Sequence, residues 1–352
     1  MPKITIWSTI IILSVLNLFF LTSFAAAGTT QYRIAYIEAG KYWTYTETYN
    51  AIKEYLNKHE LGNITTYPET LHFSPGWDKK QELQKLAKNL MARSDIDLII
   101  AAGTAATAAV LKHNNEKTPI LAMAVADPVK SKLVTSQDDS GVDNFTVRIV
   151  PGRYKRMFEI FHEVVGFQKL GLIYPDNDNG RKYSNVEDAY EVAANLGFEI
   201  VAYDKIGDAE ASADCEAGIS YLIDQGIDAF FIPALNCFDW ELSDVASLLE
   251  RLTQKKIPTF SREGTRTVKA GALMGFSTYD FTGRGQFLGV RAAKILKGEQ
   301  PRKLTMVDNA TPKITFNLKA AADIEFDPSV DILAASDEIY QEITLPEKRL
   351  KK

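Results

Sequence analysis

Short runs rich in Val, Ile, Leu and Ala alternate along this chain with longer stretches whose apolar residues recur every three to four positions. Residues 33–37, 64–72, 98–102 and 120–124 read as strands, with helices at 47–59, 79–92 and 105–113 between them. The run Leu98-Ile99-Ile100-Ala101-Ala102 shows no polar alternation, so both of its faces must be covered. After a loop that begins Asp127-Pro128 the beat resumes. Strands at 170–174, 200–203, 229–232, 259–260 and 272–274 are separated by helices near 182–196, 212–224 and 241–253. Apolar strands spaced by helices build parallel sheets with helices on both faces. Two such series, the second starting near Pro151, predict an α/β protein of two doubly wound parallel-sheet lobes joined by a hinge.

A different pattern opens the chain. Lys3 precedes an uncharged, largely apolar run from Ile4 to Phe24, and Ala25, Ala26 and Ala27 stand just before Gly28. A basic start, an apolar stretch and an A-x-A end make a secretory signal peptide, cut near Ala27. Ser8, Thr9 and Asn17 interrupt the run and argue against a retained anchor, and no Cys follows it for lipid attachment. The expected location is the periplasm, across the inner membrane. About 325 residues remain, more than one hydrophobic core usually organises. The expected organisation is a signal peptide at 1–27, lobe 1 from 28–149 with 281–308, lobe 2 from 150–280 with 309–345, and a solvated basic tail at 346–352. Lobe crossovers are expected near 150, 278–282 and 307–311.

Charge and motifs exclude several classes. Acidic residues number 45 against 40 basic ones, for a net charge of −5, and no Lys/Arg cluster is interleaved with aromatics, so a nucleic-acid partner lacks electrostatic support. His59, His72, His113 and His162 are scattered without ligand spacing, so no metal is expected. The chain has no G-x-G-x-x-G after its first strand, no P-loop and no G-x-S-x-G elbow. Neither a cofactor nor catalysis is expected. Cys215 lies near the start of a helix and Cys237 just after the following strand. A disulfide and two buried thiols both stay open, in a compartment that permits the bond.

Ligands of open parallel sheets bind beyond the carboxyl ends of the strands. Tyr42 and Trp43 follow the first strand, where they either pack over the next helix or line a pocket. Gly103-Thr104 opens a helix directly after an apolar strand. Glycine admits a ligand close to the backbone, and the threonine either caps the helix or offers its hydroxyl outward. Asp127 follows the next strand and either caps a turn or accepts a hydrogen bond from a cationic group.

The joint order of several segments resembles a known family. They are Asp97-Leu98-Ile99-Ile100-Ala101-Ala102-Gly103-Thr104-Ala105-Ala106, Ala126-Asp127-Pro128-Val129, Gly171-Leu172-Ile173-Tyr174-Pro175, Lys256-Ile257-Pro258-Thr259-Phe260 and Asn317-Leu318-Lys319-Ala320-Ala321. In that order they resemble the solute-binding proteins of bacterial ABC importers, specifically the tryptophan- and tyrosine-type group with the type I periplasmic-binding fold. The resemblance covers nearly the whole mature chain. It implies a monomer whose hinged lobes capture a small molecule, such as an aromatic amino acid or related carboxylate, and deliver it unchanged to a membrane permease.

The resemblance also implies a ligand set. One lobe would contribute Gly103, Thr104 and Asp127. The other would contribute Ser184 and Asn185 at a helix start, Asn236 after a strand, and Glu263 and Tyr279 in later loops, with Tyr42, Trp43 and Tyr279 shielding the ligand from water. Where the family carries an Asp-Asn-Thr-like triplet, this chain reads Leu235-Asn236-Cys237, so the carboxylate for an α-ammonium is missing. Glu263 and Asp280 are candidate replacements, and Arg262 is a candidate clamp for a carboxylate. Two alternatives stay open: a ligand-sensing periplasmic protein that signals through a membrane receptor, and an unrecognised periplasmic enzyme.

Overall fold

The computed structural model describes residues 31–59, 61–207, 210–277 and 281–350. The signal segment, Tyr279, Asp280 and the hinge position at 278–280 lie outside the described residues.

The first sheet contains β1 (Tyr32–Glu38), β2 (Thr65–Thr66), β3 (His72–Phe73), β4 (Leu98–Ala102), β5 (Ile120–Met123) and β6 (Phe145–Val147). Its strands pair in parallel in the order β2-β1-β4-β5-β6, with β3 also on β1. Successive side chains of a strand point to opposite faces, and the burial follows that rule. Ala35, Ile37, Ile99 and Ala101 join Leu83, Ala87 and Leu90 of α2 (Lys80–Met91) and Ala106 and Val110 of α3 (Gly103–Lys112). Ile34, Tyr36, Leu98 and Ile100 join Tyr49, Ile52 and Leu56 of α1 (Trp43–Lys58) on the other face.

The chain then builds a second sheet. It contains β7 (Lys169–Ile173), β8 (Glu199–Tyr203), β9 (Ala229–Ile232), β10 (Thr259–Ser261), β11 (Met274–Phe276), β12 (Ile314–Asn317) and β13 (Glu338–Tyr340), in the order β13-β12-β11-β10-β9-β7-β8. Only the β11–β12 pair is antiparallel among these. One face is covered by α4 (Arg153–Val165) and α6 (Val186–Leu196), which follows the short α5 (Asp178–Tyr183). The opposite face is covered by α7 (Ser212–Asp224), α8 (Val245–Gln254) and Val268 of α9 (Thr265–Lys269). Cys215 of α7 and Cys237 are bonded, with Cα atoms 6.3 Å apart, so the turn after β9 is tied to the covering helix.

The next helix, α10 (Phe281–Leu296), returns to the first sheet, where Leu288, Ala292 and Ile295 complete the face begun by α1. A Cβ on Gly285 would overlap Ala51 of α1 and one on Gly289 would overlap Tyr55, so only glycine permits this helix spacing. The chain then crosses back beside its earlier crossing. Ile149 bridges Val307 in parallel, its N–H donating to Met306 O at 2.9 Å and its carbonyl accepting from Asp308 N–H at 2.7 Å. Arg148 pairs with Asp308 at 2.6 Å on the same two segments. The last helices, α11 (Leu318–Asp323) and α12 (Val330–Ala335), belong to the second lobe with β12 and β13.

The two-lobe α/β architecture is the one the hydrophobic pattern predicts, while several local features differ from it, three of them with a plain physical reason. The expected strand at 64–72 is broken into β2 and β3 around a single 3-10 turn, Glu69–Leu71, because Pro68 has no N–H to pair. The expected helix at 182–196 is two helices, parted at Asn185, whose φ of 55° cannot continue a right-handed helix. The C-terminal segment is not frayed up to Leu350: Leu350 N–H donates to Trp240 O at 2.6 Å and Arg266 to Lys348 O at 2.8 Å.

Candidate functional site

The loops beyond the carboxyl ends of β1, β4, β5 and β6 face those beyond β9 and β10 across a cleft of about 1180 Å³. Aromatic side chains dominate its first wall. The Tyr42 and Tyr45 rings meet edge to face at 5.1 Å, Trp43 packs edge-on against Phe281 at 5.9 Å, and Tyr45 lies 6.3 Å from Trp77. On the second lobe Tyr154, Tyr183 and Trp240 line the cleft with Arg262 and Glu263. Such a mixture of apolar rings and a few fixed polar groups is what small-molecule pockets offer.

Of the residues singled out from the sequence, Tyr42, Trp43, Thr104, Asp127, Asn236 and Glu263 line the cleft together. The Thr104 hydroxyl accepts the Ala126 N–H at 3.1 Å, which fixes the β5 loop against the β4 loop. Asp127 accepts the Lys130 N–H at 3.0 Å, so its carboxylate caps a turn while it borders the cavity. Asn236 is exposed, and its N–H donates to Glu210 at 2.5 Å. Three residues stand behind the wall instead. Gly103, at φ 79°, sits directly under the Tyr45 hydroxyl, where a side chain would overlap it. Ser184 is fully buried between α5 and α6, and Asn185 accepts a hydrogen bond from Arg262 Nε at 2.7 Å. Asn185 therefore orients a cleft residue. Tyr279 lies outside the described residues.

Two contacts among the described residues span the cleft. The Tyr42 hydroxyl on the first lobe donates to the Glu263 carboxyl on the second. Lys130 reaches across to Asp188 at 2.7 Å. Glu263 is largely buried, with 17% of its side chain exposed, and desolvation pushes its carboxyl up to about 7 although Arg266 and Arg284 pull the other way. Burial also raises the Tyr45 phenol above its ordinary range, so it remains a neutral donor.

Sequence reasoning missed Tyr45, Trp77, Arg148, Arg153, Tyr154, Tyr183 and Trp240, all of which border the cavity. Arg153 and Tyr154 begin α4 just after Pro151-Gly152. That turn pair marked only a lobe boundary in the sequence, although a helix starting there points its first residues at whatever the boundary faces. Among the described residues no cluster of three or more His, Cys, Asp or Glu could hold a metal ion, and no helix is long and apolar enough to cross a membrane.

Two lobes enclosing a cleft at the ends of parallel strands define a binding protein of the hinged, periplasmic type. Residues 45–339 match the family model described as ABC transporter substrate binding protein, and the chain belongs to that family. Among solved structures it is similar to an ABC domain in complex with L-Trp from Streptococcus pneumonia, at 17% identity and TM-score 0.70, over 88% of this chain and 99% of that one. A conserved domain protein from Vibrio cholerae is similar at 20% identity and TM-score 0.69, with coverage of 88% and 99%. A substrate binding protein with adhesive properties from Clostridium difficile, in its ligand-free, open form, is similar at 21% identity and TM-score 0.65, with coverage of 89% and 100%. No curated protein matches the chain by sequence. At these identities the structural likenesses concern the fold.

Proposed function

We propose that this protein is exported, loses its signal peptide near Ala27, and captures one small aromatic molecule between its lobes in the periplasm for delivery to an ABC permease. It works as a monomer and leaves its ligand chemically unchanged. The observation that carries this reading is the aromatic cleft itself: Tyr42, Tyr45, Trp77 and Tyr154 border one cavity whose two walls belong to different lobes and already touch through Tyr42 and Glu263. The lobes hinge where Ile149 runs beside Val307 and again where the chain enters α10. Ligand contacts made on both walls stabilise the closed form over the open one, which is how occupancy becomes a shape that a permease can recognise. The L-Trp carried by the similar structure from Streptococcus pneumonia supports an aromatic ligand class.

A thermal-shift screen against amino acids, aromatic carboxylates, nucleosides and sugars tests the proposal. A saturable shift with one aromatic class, reduced by Thr104→Ala or Asn236→Ala, is expected. Shifts confined to sugars or aliphatic amino acids would rule out the aromatic assignment, and turnover of the bound compound would rule out a carrier.

A further inference from the structure

The charges bordering the cleft are nearly all spoken for. Arg148 pairs with Asp308 at 2.6 Å, Arg266 with Glu241 at 3.8 Å, and Lys130 with Asp188 at 2.7 Å. Arg262 is held by Asn185 at 2.7 Å and by Glu263 at 3.5 Å. Arg153 differs. It borders the cleft at the first position of α4, its guanidinium lies 5.8 Å over the Phe276 ring, and among the described residues no carboxylate pairs with it. Burial, with Arg148 and Arg262 close by, pushes the guanidinium down to about 10, still charged at neutral pH. A half-buried cation flanked by two more is unfavourable until an anion arrives, and the free N–H groups at the start of the 13-residue α4 add to the same field.

On the acidic side, among the described residues, each carboxylate bordering the cleft is either held by a neighbouring donor or exposed. Asp127 caps a turn, Asp188 is paired, and Glu210 accepts the Asn236 N–H. Asp239 accepts the Glu241 N–H at 2.8 Å, and Glu47 is exposed. Glu263, a sequence candidate for holding an α-ammonium, is engaged by Tyr42 and Arg262.

Resting on the reading of the cleft as a ligand site, we infer that the ligand is an aromatic carboxylate without an α-ammonium group, its carboxylate paired with Arg153 and its ring covered by Tyr42 and Tyr45. A planar guanidinium offers a carboxylate two parallel hydrogen bonds, which a point charge cannot reproduce. The ligand supplies the anion that the fold withholds.

Calorimetric titration of the full protein with 3-phenylpropionate, its amide, 3-phenylpropyl phosphate and phenylalanine separates the outcomes. Expected is binding of 3-phenylpropionate about 10- to 100-fold tighter than the amide, and at least as tight as phenylalanine. Arg153→Gln should abolish the preference over the amide while the unliganded variant melts no lower than the parent, since an unpaired, half-buried charge has been removed. A merely structural arginine would show the opposite melting result. Tighter phenylalanine binding overturns the missing-ammonium inference, tighter phosphate binding overturns the carboxylate, and equal binding of acid and amide overturns the Arg153 pairing, each with the cleft reading intact. No binding by any of the four overturns the inference, and the broader thermal-shift screen then decides separately whether the cleft binds small molecules.

Discussion

Replacing Glu263 with Gln should remove a pH dependence from folding. The carboxyl lies between the two walls of the cleft, accepts the Tyr42 hydroxyl, and is pushed from 4.5 up to about 7 chiefly by desolvation. An acid whose folded-state value is raised holds its proton more tightly folded than unfolded. Its favourable contribution is therefore complete below about 4.5 and is lost as the pH rises through about 7. At about 1.4 kcal/mol per pH unit, the rise from 4.5 to about 7 amounts to about 3 kcal/mol, an upper figure because the side chain keeps 17% of its surface in water. Gln is close in shape, retains an oxygen for Tyr42 and does not titrate. Urea unfolding of the ligand-free protein and of Glu263→Gln at about pH 4 and about pH 8 reads the effect, since every other titrating group is common to both. The variant should match the parent at the lower pH and exceed it by up to about 3 kcal/mol at the higher. Parallel losses of stability in the two proteins would refute the reasoning and would mean that Glu263 is hydrated in solution, with the lobes parted at that point.

Three other perturbations address the scaffold. Breaking the Cys215–Cys237 bond, which spans 22 residues, with Cys215→Ala/Cys237→Ala should cost about 3 kcal/mol in chemical unfolding on the chain-entropy account, and unchanged stability would show that α7 holds the β9 turn without it. Gly285→Ala places a methyl against Ala51 and should cost about 1–3 kcal/mol of stability by forcing α10 from α1, a loss that a calorimetric melt at neutral pH detects. Lys130→Ala removes a cross-cleft pair whose lysine is 45% exposed, so unfolding should change by less than about 1 kcal/mol, and a larger loss would mean the pair is better shielded than its exposure indicates.

The class of fold was legible because a parallel strand covered on both faces leaves a signature that survives without tertiary information. Leu98 to Ala102 is apolar at every position and buried at every position, and the alternation of such runs with amphipathic stretches has few other solutions. The break at Pro68 was not read from the chain, which suggested one strand over 64–72, although a residue without an N–H is a signal against pairing there. The loops that carry Tyr42, Thr104, Asp127 and Glu263 could be placed from the sequence for the same reason: a strand's carboxyl end is known once the strand is known.

What the sequence alone could not decide is which of those residues meet. Asn185 and Arg262 are 77 positions apart within the second lobe and meet only once its sheet is assembled, while Tyr42 and Glu263 are 221 apart and their hydrogen bond depends on how the two lobes are set against each other. Gly285 and Gly289 are read in sequence as glycines within a helix, and only the packed pair of helices shows that a methyl has no room there. Arg153 is the clearest case. One arginine among many acquires its character from the absence, among the described residues, of a carboxylate paired with it. An absence of partners is a property of three-dimensional neighbourhoods, to which residues from every part of the chain contribute and which no local pattern of hydrophobic and polar positions records.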